Sequence, residues 1–190
     1  MTRAPLIITS RLRLDDLEAD DAARVFRYAS DPDVARFTAW PPHRTLLESE
    51  EWLARAIANF SGEPGRFRCC WAIRLQEGVG SLLGAVEFGQ HPADCGRIDY
   101  VLARPYWGHG LGTEAVQGVI DWAFSSLPQL DVIRSGGLAE NDRSIAVMKK
   151  CGMVFEGTTE VPIQKFGGEL RDVAHYRITR REYHLQRTPK

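Results

Sequence analysis

The stretch that most constrains this chain runs from Tyr100 to Phe124. A strand end and a short exit, Tyr100-Val-Leu-Ala-Arg-Pro-Tyr-Trp107, lead into Gly108, Gly110 and Gly112 at every second position. Directly behind them Leu111, Ala115, Val116, Val119, Ile120, Ala123 and Phe124 form one apolar stripe at helical spacing. A strand that passes through a glycine loop straight into an amphipathic helix gathers unpaired N–H donors and the positive end of a helix dipole in one place. Glycines let an anion approach that backbone closely. A pyrophosphate is the natural occupant, with the Thr113 hydroxyl as a further contact. The same spacing also suits an ordinary tight turn. It is neither the dinucleotide G-x-G-x-x-G fingerprint nor a P-loop, because the spacing differs and no G-K-S/T follows.

The remainder of the chain reads as one continuous domain over residues 1–190, with no repeat and no low-complexity linker. A chain of this length buries roughly 70% of the surface it would expose unfolded. Strands are expected at 6–14, 68–75, 81–89, 97–103, 132–139, 153–162 and 171–179. Helices are expected at 20–30, 46–60, 111–125 and 142–150. Asp31-Pro32-Asp33 breaks the first helix, Thr45 and Glu48 cap the second, and a turn falls around Glu77-Gly78. Strands and helices do not alternate strictly, which suggests an α+β fold around one mixed sheet.

Charge excludes some partners. The 24 basic and 25 acidic residues leave a net charge of -1, so no global field points to nucleic acid or an anionic membrane. Cys69, Cys70, Cys95 and Cys151 form no C-x-x-C pair, and a disulfide framework or metal site is not expected. The run Leu6-Ile7-Ile8 is too short for a signal-peptide core, and no stretch approaches the ~20 apolar residues of a membrane span. A cytoplasmic protein is the expectation.

Several motifs, in order and with compatible spacing over about residues 8–184, resemble the GCN5-related N-acetyltransferases, especially the branch of ribosomal-protein N-terminal acetyltransferases. Trp107-Gly108-His109-Gly110-Leu111-Gly112 is similar to that family's acetyl-CoA loop, with Trp107 in the usual Gln or Arg place. Ser10-Arg-Leu-Arg-Leu14 resembles the branch's opening strand. Asn141-Asp-Arg-Ser144 with Lys149-Lys150-Cys-Gly152-Met153 resembles its N-x-x-S…K-x-G-F segment, and Asp172-Val-Ala-His-Tyr176 its closing D-x-x-x-Y. The resemblance implies a single-domain fold with a mixed, mostly antiparallel central sheet flanked by helices. It also implies a strand splay at the acetyl-CoA site.

The resemblance further implies roles. Tyr100, Val101, Leu102 and Ala103 line the pantetheine arm, and the backbone from His109 to Thr113 holds the pyrophosphate. Asn141 either caps the helix behind it or bonds the cofactor arm. Lys149 and Lys150 favour a helix C-terminus, and one of them also reaches the 3′-phosphate. Many relatives carry a tyrosine acid where this chain has Met148, which donates no proton. Ser144, or a water it holds, is the substitute. For the base, Glu87 between Val86 and Phe88 leads, with burial expected to raise its pKa, and Asp99 follows, its neighbour Arg97 a ready ion-pair partner. The segment Gln164 to Arg171 and the N-terminal helices are expected to build the acceptor pocket.

The function so implied is acetyl transfer from acetyl-CoA, without a metal, to a primary amine of a small molecule or a protein N-terminus. An α-amine, titrating near ~8 against ~10.4 for lysine, suits a lightly armed site better. The competing expectation is an acyl-CoA-binding sensor of the same fold that has lost its chemistry. A homodimer is expected only by analogy.

Overall fold

In a computed structural model, which describes residues 4–60, 62–63, 65–77 and 81–187, the organising element is an eight-stranded sheet. Its strands are β1 (Ile7–Ile8), β2 (Leu12–Asp16), β3 (Arg68–Leu75), β4 (Gly84–Gln90), β5 (Cys95–Leu102), β6 (Val132–Leu138), β7 (Val154–Ile163) and β8 (Glu169–Thr179). They lie in the order β1-β2-β3-β4-β5-β6-β8-β7. Every neighbouring pair is antiparallel except β5 and β6. The helices are α1 (Ala22–Ala29), α2 (Pro32–Ala35), α3 (Leu46–Ala58), α4 (Leu111–Ser126), α5 (Asp142–Lys150) and α6 (Arg180–Arg187).

Alternation along the strands sorts side chains between two cores. Leu14, Trp71, Ile73, Val86, Phe88 and Ile98 meet the α4 stripe, where Ala115, Val119, Ile120 and Ala123 are fully buried. Ala72 joins Val25, Tyr28, Ala29 and Leu53 of α1 and α3 in the second core. At the far end of α4, Arg180 gathers the freed carbonyls. Its guanidinium donates to Phe124, Leu127 and Leu130 at 2.6, 2.7 and 2.8 Å. That satisfies acceptors the helix cannot satisfy itself.

Three expectations need correction. The segment 6–14 is not one strand. Thr9 accepts from the Leu12 N–H through Oγ1 and turns the chain, so that Ile7 pairs back on Leu14. After Asp31 the chain does not simply break, because the Asp31 carboxylate caps Asp33 N–H and Pro32 opens the short α2. The polar α6 carries little apolar signal and was not anticipated. The turn expected at Glu77-Gly78 lies partly outside the described residues, since Gly78 is not among them.

The parallel pair decides where a ligand can enter. β5 and β6 are in register only at Cys95–Val132, Gly96–Ile133 and Arg97–Arg134. Beyond Arg97, β5 continues to Leu102 paired only with β4, and β6 continues to Leu138 paired only with β8. The sheet therefore splits into a wedge.

Candidate active site

The glycine loop and the starts of α4 and α5 stand around this wedge. Trp107 holds the exit from β5, its indole N–H donating to the Leu102 carbonyl at 2.8 Å. Gly108 and Gly110 have φ of 78° and 77°, left-handed angles that side chains with a Cβ tolerate poorly. Gly110 is the residue before α4, and no side chain caps that helix. The first helical acceptor is used only at Glu114, whose N–H bonds the Gly110 carbonyl, so the N–H groups ahead of it lie outside the helical ladder. Gly112 serves packing instead: a Cβ there would press to 3.2 Å from Leu102 Cδ1.

Tyr100 crosses from β5 to α5. Its phenol donates to Ser144 Oγ at 3.2 Å, and the Ser144 N–H in turn donates to Asn141 Oδ1 at 3.2 Å. Burial pushes the Tyr100 phenol up to about 12 against the downward pull of the Ser144 hydrogen bond, so it is neutral at physiological pH. Asn141 is thus a helix cap. Met148 is fully buried in the core, which explains the missing tyrosine acid as a packing residue. Lys149 and Lys150 are exposed in the last turn of α5, next to Cys151, whose thiol reaches the Thr113 carbonyl at 3.5 Å.

The two carboxylates lie on the other face of the strands and in register, Glu87 directly across from Asp99. Neither is free. Glu87 pairs with Arg68 at 2.6 Å, and Arg97 forks onto Asp99 through two bonds of 2.8 Å. Glu87 is only half-buried, with 38% of its side chain exposed, so the deep burial that would favour a raised pKa is absent. Asp99 stands two residues past the last β5–β6 pair, at the root of the wedge. His109 sits exposed in the glycine loop.

Opposite the loop, the β7–β8 hairpin turns through Gln164–Phe166. Lys165 at that turn donates to the carbonyls of Ala35 and Arg36 at 2.5 and 2.8 Å. The hairpin tip is so fastened to the end of α2, and Arg171 and Lys165 both lie over the Phe166 ring. His175 of β8 shares a 2.7 Å hydrogen bond with Thr159 and leans over Gly136, where a Cβ would meet its Nδ1 at 3.3 Å.

Sequence reasoning passed over Arg11, Glu114 and Arg143. Arg11 bonds the His109 carbonyl and Glu114. Arg143 lies 4.9 Å over the Trp107 ring and ties α5 to the loop. Arg11 stood inside a motif already quoted, but nothing in its spacing reveals a partner about 100 residues away.

Comparison with known proteins places this architecture. Residues 11–154 match the family described as the acetyltransferase (GNAT) domain. An uncharacterized N-acetyltransferase, p20 of Bacillus licheniformis, is 31% identical over 181 residues, covering 93% of this chain and 97% of that protein. A GNAT-family acetyltransferase from Bacillus anthracis superposes with a TM-score of 0.81 at 24% identity, over 93% of this chain and 99% of that one. The microcin C7 self-immunity acetyltransferase MccE, whose structure holds acetyl-CoA and AMP, superposes with a TM-score of 0.76 at 18% identity, over 90% and 93% of the two chains. The chain belongs to the GNAT family and is an acetyl-CoA-dependent acetyltransferase.

Proposed function

We propose that this protein transfers the acetyl group of acetyl-CoA to a primary amine, a protein N-terminal α-amine or a small amine, by direct attack within a ternary complex. The observation that carries the reading is the wedge: β5 loses its β6 partner after Arg97, just before the uncapped, glycine-led start of α4. A pantetheine arm supplies the hydrogen bonds that β5 lacks over Tyr100 to Ala103. The N–H groups from His109 to Thr113 take the pyrophosphate at the helix start. Lys149 or Lys150 meets the 3′-phosphate.

With the thioester in the wedge, the amine enters from the face that carries Glu87 and Asp99. Their negative charge draws in an ammonium, and one of them accepts its proton directly or through water. The neutral nitrogen then attacks the thioester carbonyl, a C–N bond forms and the C–S bond breaks. The departing thiolate takes a proton from Ser144, whose hydroxyl is replenished by Tyr100 across their 3.2 Å hydrogen bond. Proximity supplies much of the acceleration, which suits a site without the usual tyrosine acid. The Lys165 latch and the N-terminal helices wall the acceptor side, and their polar carbonyl-rich rim is where selection among amines takes place.

The test is thiol release from acetyl-CoA across a panel of peptides with free N-termini, amino acids, polyamines and lysine-containing peptides. Amine-dependent release is expected for at least one α-amine. Glu87→Gln or Asp99→Asn is expected to lower its kcat by about 100-fold, the usual size of a lost general base. Release by no amine above the level of the Glu87→Gln protein would remove the reading.

A further inference from the structure

The turn between β1 and β2 carries an arginine whose bonds all lead to the glycine loop and the first turn of α4. Arg11 Nη1 donates to the His109 carbonyl at 3.0 Å. Its Nε and Nη2 both lie 2.6 Å from Glu114 Oε2. The other oxygen, Oε1, accepts from the Thr9 hydroxyl at 2.6 Å, the Ser10 hydroxyl at 2.9 Å and the Arg11 backbone N–H at 2.7 Å. One carboxylate in the first turn of α4 therefore takes every polar group that the turn presents.

Two consequences follow from elementary chemistry. A trans peptide is planar, with its C=O and N–H pointing in opposite directions. Anchoring the His109 carbonyl to Arg11 therefore turns the Gly110 N–H away from the β1–β2 turn and fixes where it aims. The second consequence is electrostatic. A carboxylate in a first helical turn suits the dipole but repels a diphosphate arriving at the same helix start. A forked guanidinium and three further donors hold that charge on the far side of the loop and offset it.

We propose that Arg11 and Glu114 are positioning residues for the pyrophosphate loop, fixing the His109–Gly110 peptide so that its N–H meets the diphosphate and screening the Glu114 charge from it. The inference rests on the loop assignment made under Proposed function. It gives the β1–β2 turn a part in cofactor binding although the turn belongs to the opposite end of the sheet.

The test compares CoA, which carries the diphosphate, with S-acetyl-pantetheine, which carries the arm without it. CoA is titrated calorimetrically, and S-acetyl-pantetheine by saturation-transfer NMR. Arg11→Ala is expected to weaken CoA about tenfold and to leave S-acetyl-pantetheine within about twofold of the parent protein. Arg11→Lys keeps the charge but not the rigid fork, and is expected to weaken CoA at least about threefold. It carries the test if the alanine variant does not fold. Amide hydrogen exchange should quicken at residues 109–113 and not at the start of α5. Equal losses for both ligands, or unchanged CoA affinity in folded variants, would overturn the brace alone. Failure of the parent protein to bind CoA would instead overturn the loop assignment, and the brace with it.

Discussion

Two helices begin beside the same wedge, and they begin differently. α5 is closed by its own sequence: Asn141 accepts the Ser144 N–H, and Asp142 adds a negative charge in the first turn. α4 has no side-chain cap, starts from a left-handed glycine, and is braced from outside by the β1–β2 turn. A capped start is a local solution that completes the helix. An uncapped start held by distant residues leaves donors available for something the chain does not contain. The contrast separates a helix end that serves the fold from one that serves a ligand.

Acid should break this contrast with the largest effect. Burial works against the Glu114 carboxylate, yet hydrogen bonds from Thr9, Arg11 and Ser10 bring its pKa down from 4.5 to about 2. A carboxyl whose folded pKa lies below its unfolded one stabilises the fold fully above the unfolded value. That contribution is lost as pH falls from about 5 towards 2, because protonation then favours the unfolded chain. The span corresponds to at most about 3 kcal/mol. Denaturant melts from neutral pH down to about pH 3 should show this loss in the parent protein and a shallower slope in Glu114→Gln. Glu182, held near about 2 by Arg177 and Thr179, contributes in the same window, so Glu114→Gln flattens the profile only in part. Parallel profiles for the two proteins would mean that the brace adds no stability through ionisation.

The next effect is on binding. Gly110→Val places a β-branched side chain at φ 77° in the N–H cradle. The substitution should weaken acetyl-CoA by about 30-fold, or ~2 kcal/mol, through strain and obstruction together. Gly167, with φ of 70° at the hairpin tip, isolates the strain. Gly167→Ala should lower the melting temperature slightly while CoA affinity stays level. Unchanged affinity in Gly110→Val with a native melt would show that the loop is only a turn.

What could be read in the sequence follows the range of the interactions. The α4 stripe, the glycine loop and the Thr45 and Asn141 caps are local patterns, and each occupies its expected place. The pairing of Arg97 with Asp99 was likewise legible at a separation of two residues. The bend at Thr9 was not, because Leu12 and Leu14 alternate correctly whether or not a turn precedes them. The Arg11–Glu114 bonds, the Lys165 latch on α2 and the Arg68–Glu87 pair join residues far apart in the chain, and only the sheet order brings them together. Glu87 shows the consequence for chemistry: its apolar neighbours suggested burial, whereas Arg68 and the open strand face leave it half-exposed.

The smallest effect tests the α5 side of the comparison. Asn141 can act as cap or as cofactor ligand, and the two roles predict opposite pairs of results. As a cap, its Oδ1 is occupied by the Ser144 N–H at 3.2 Å. Asn141→Ala should then cost about 1 kcal/mol of stability, and Asn141→Asp should recover most of it, since Asp caps as well as Asn. CoA affinity should stay within about threefold in both, because the loop that binds the diphosphate belongs to α4. A ligand role would show the reverse: near-parent stability in Asn141→Ala, at least about tenfold weaker CoA, and no recovery with Asp, whose charge cannot replace the amide's N–H donors. Urea melts and calorimetric titration of the same two proteins distinguish these outcomes. Because Ser144 N–H is released when the cap is lost, the cap role also predicts a modest fall in kcat in Asn141→Ala, as the Ser144 hydroxyl loses its fixed distance to Tyr100.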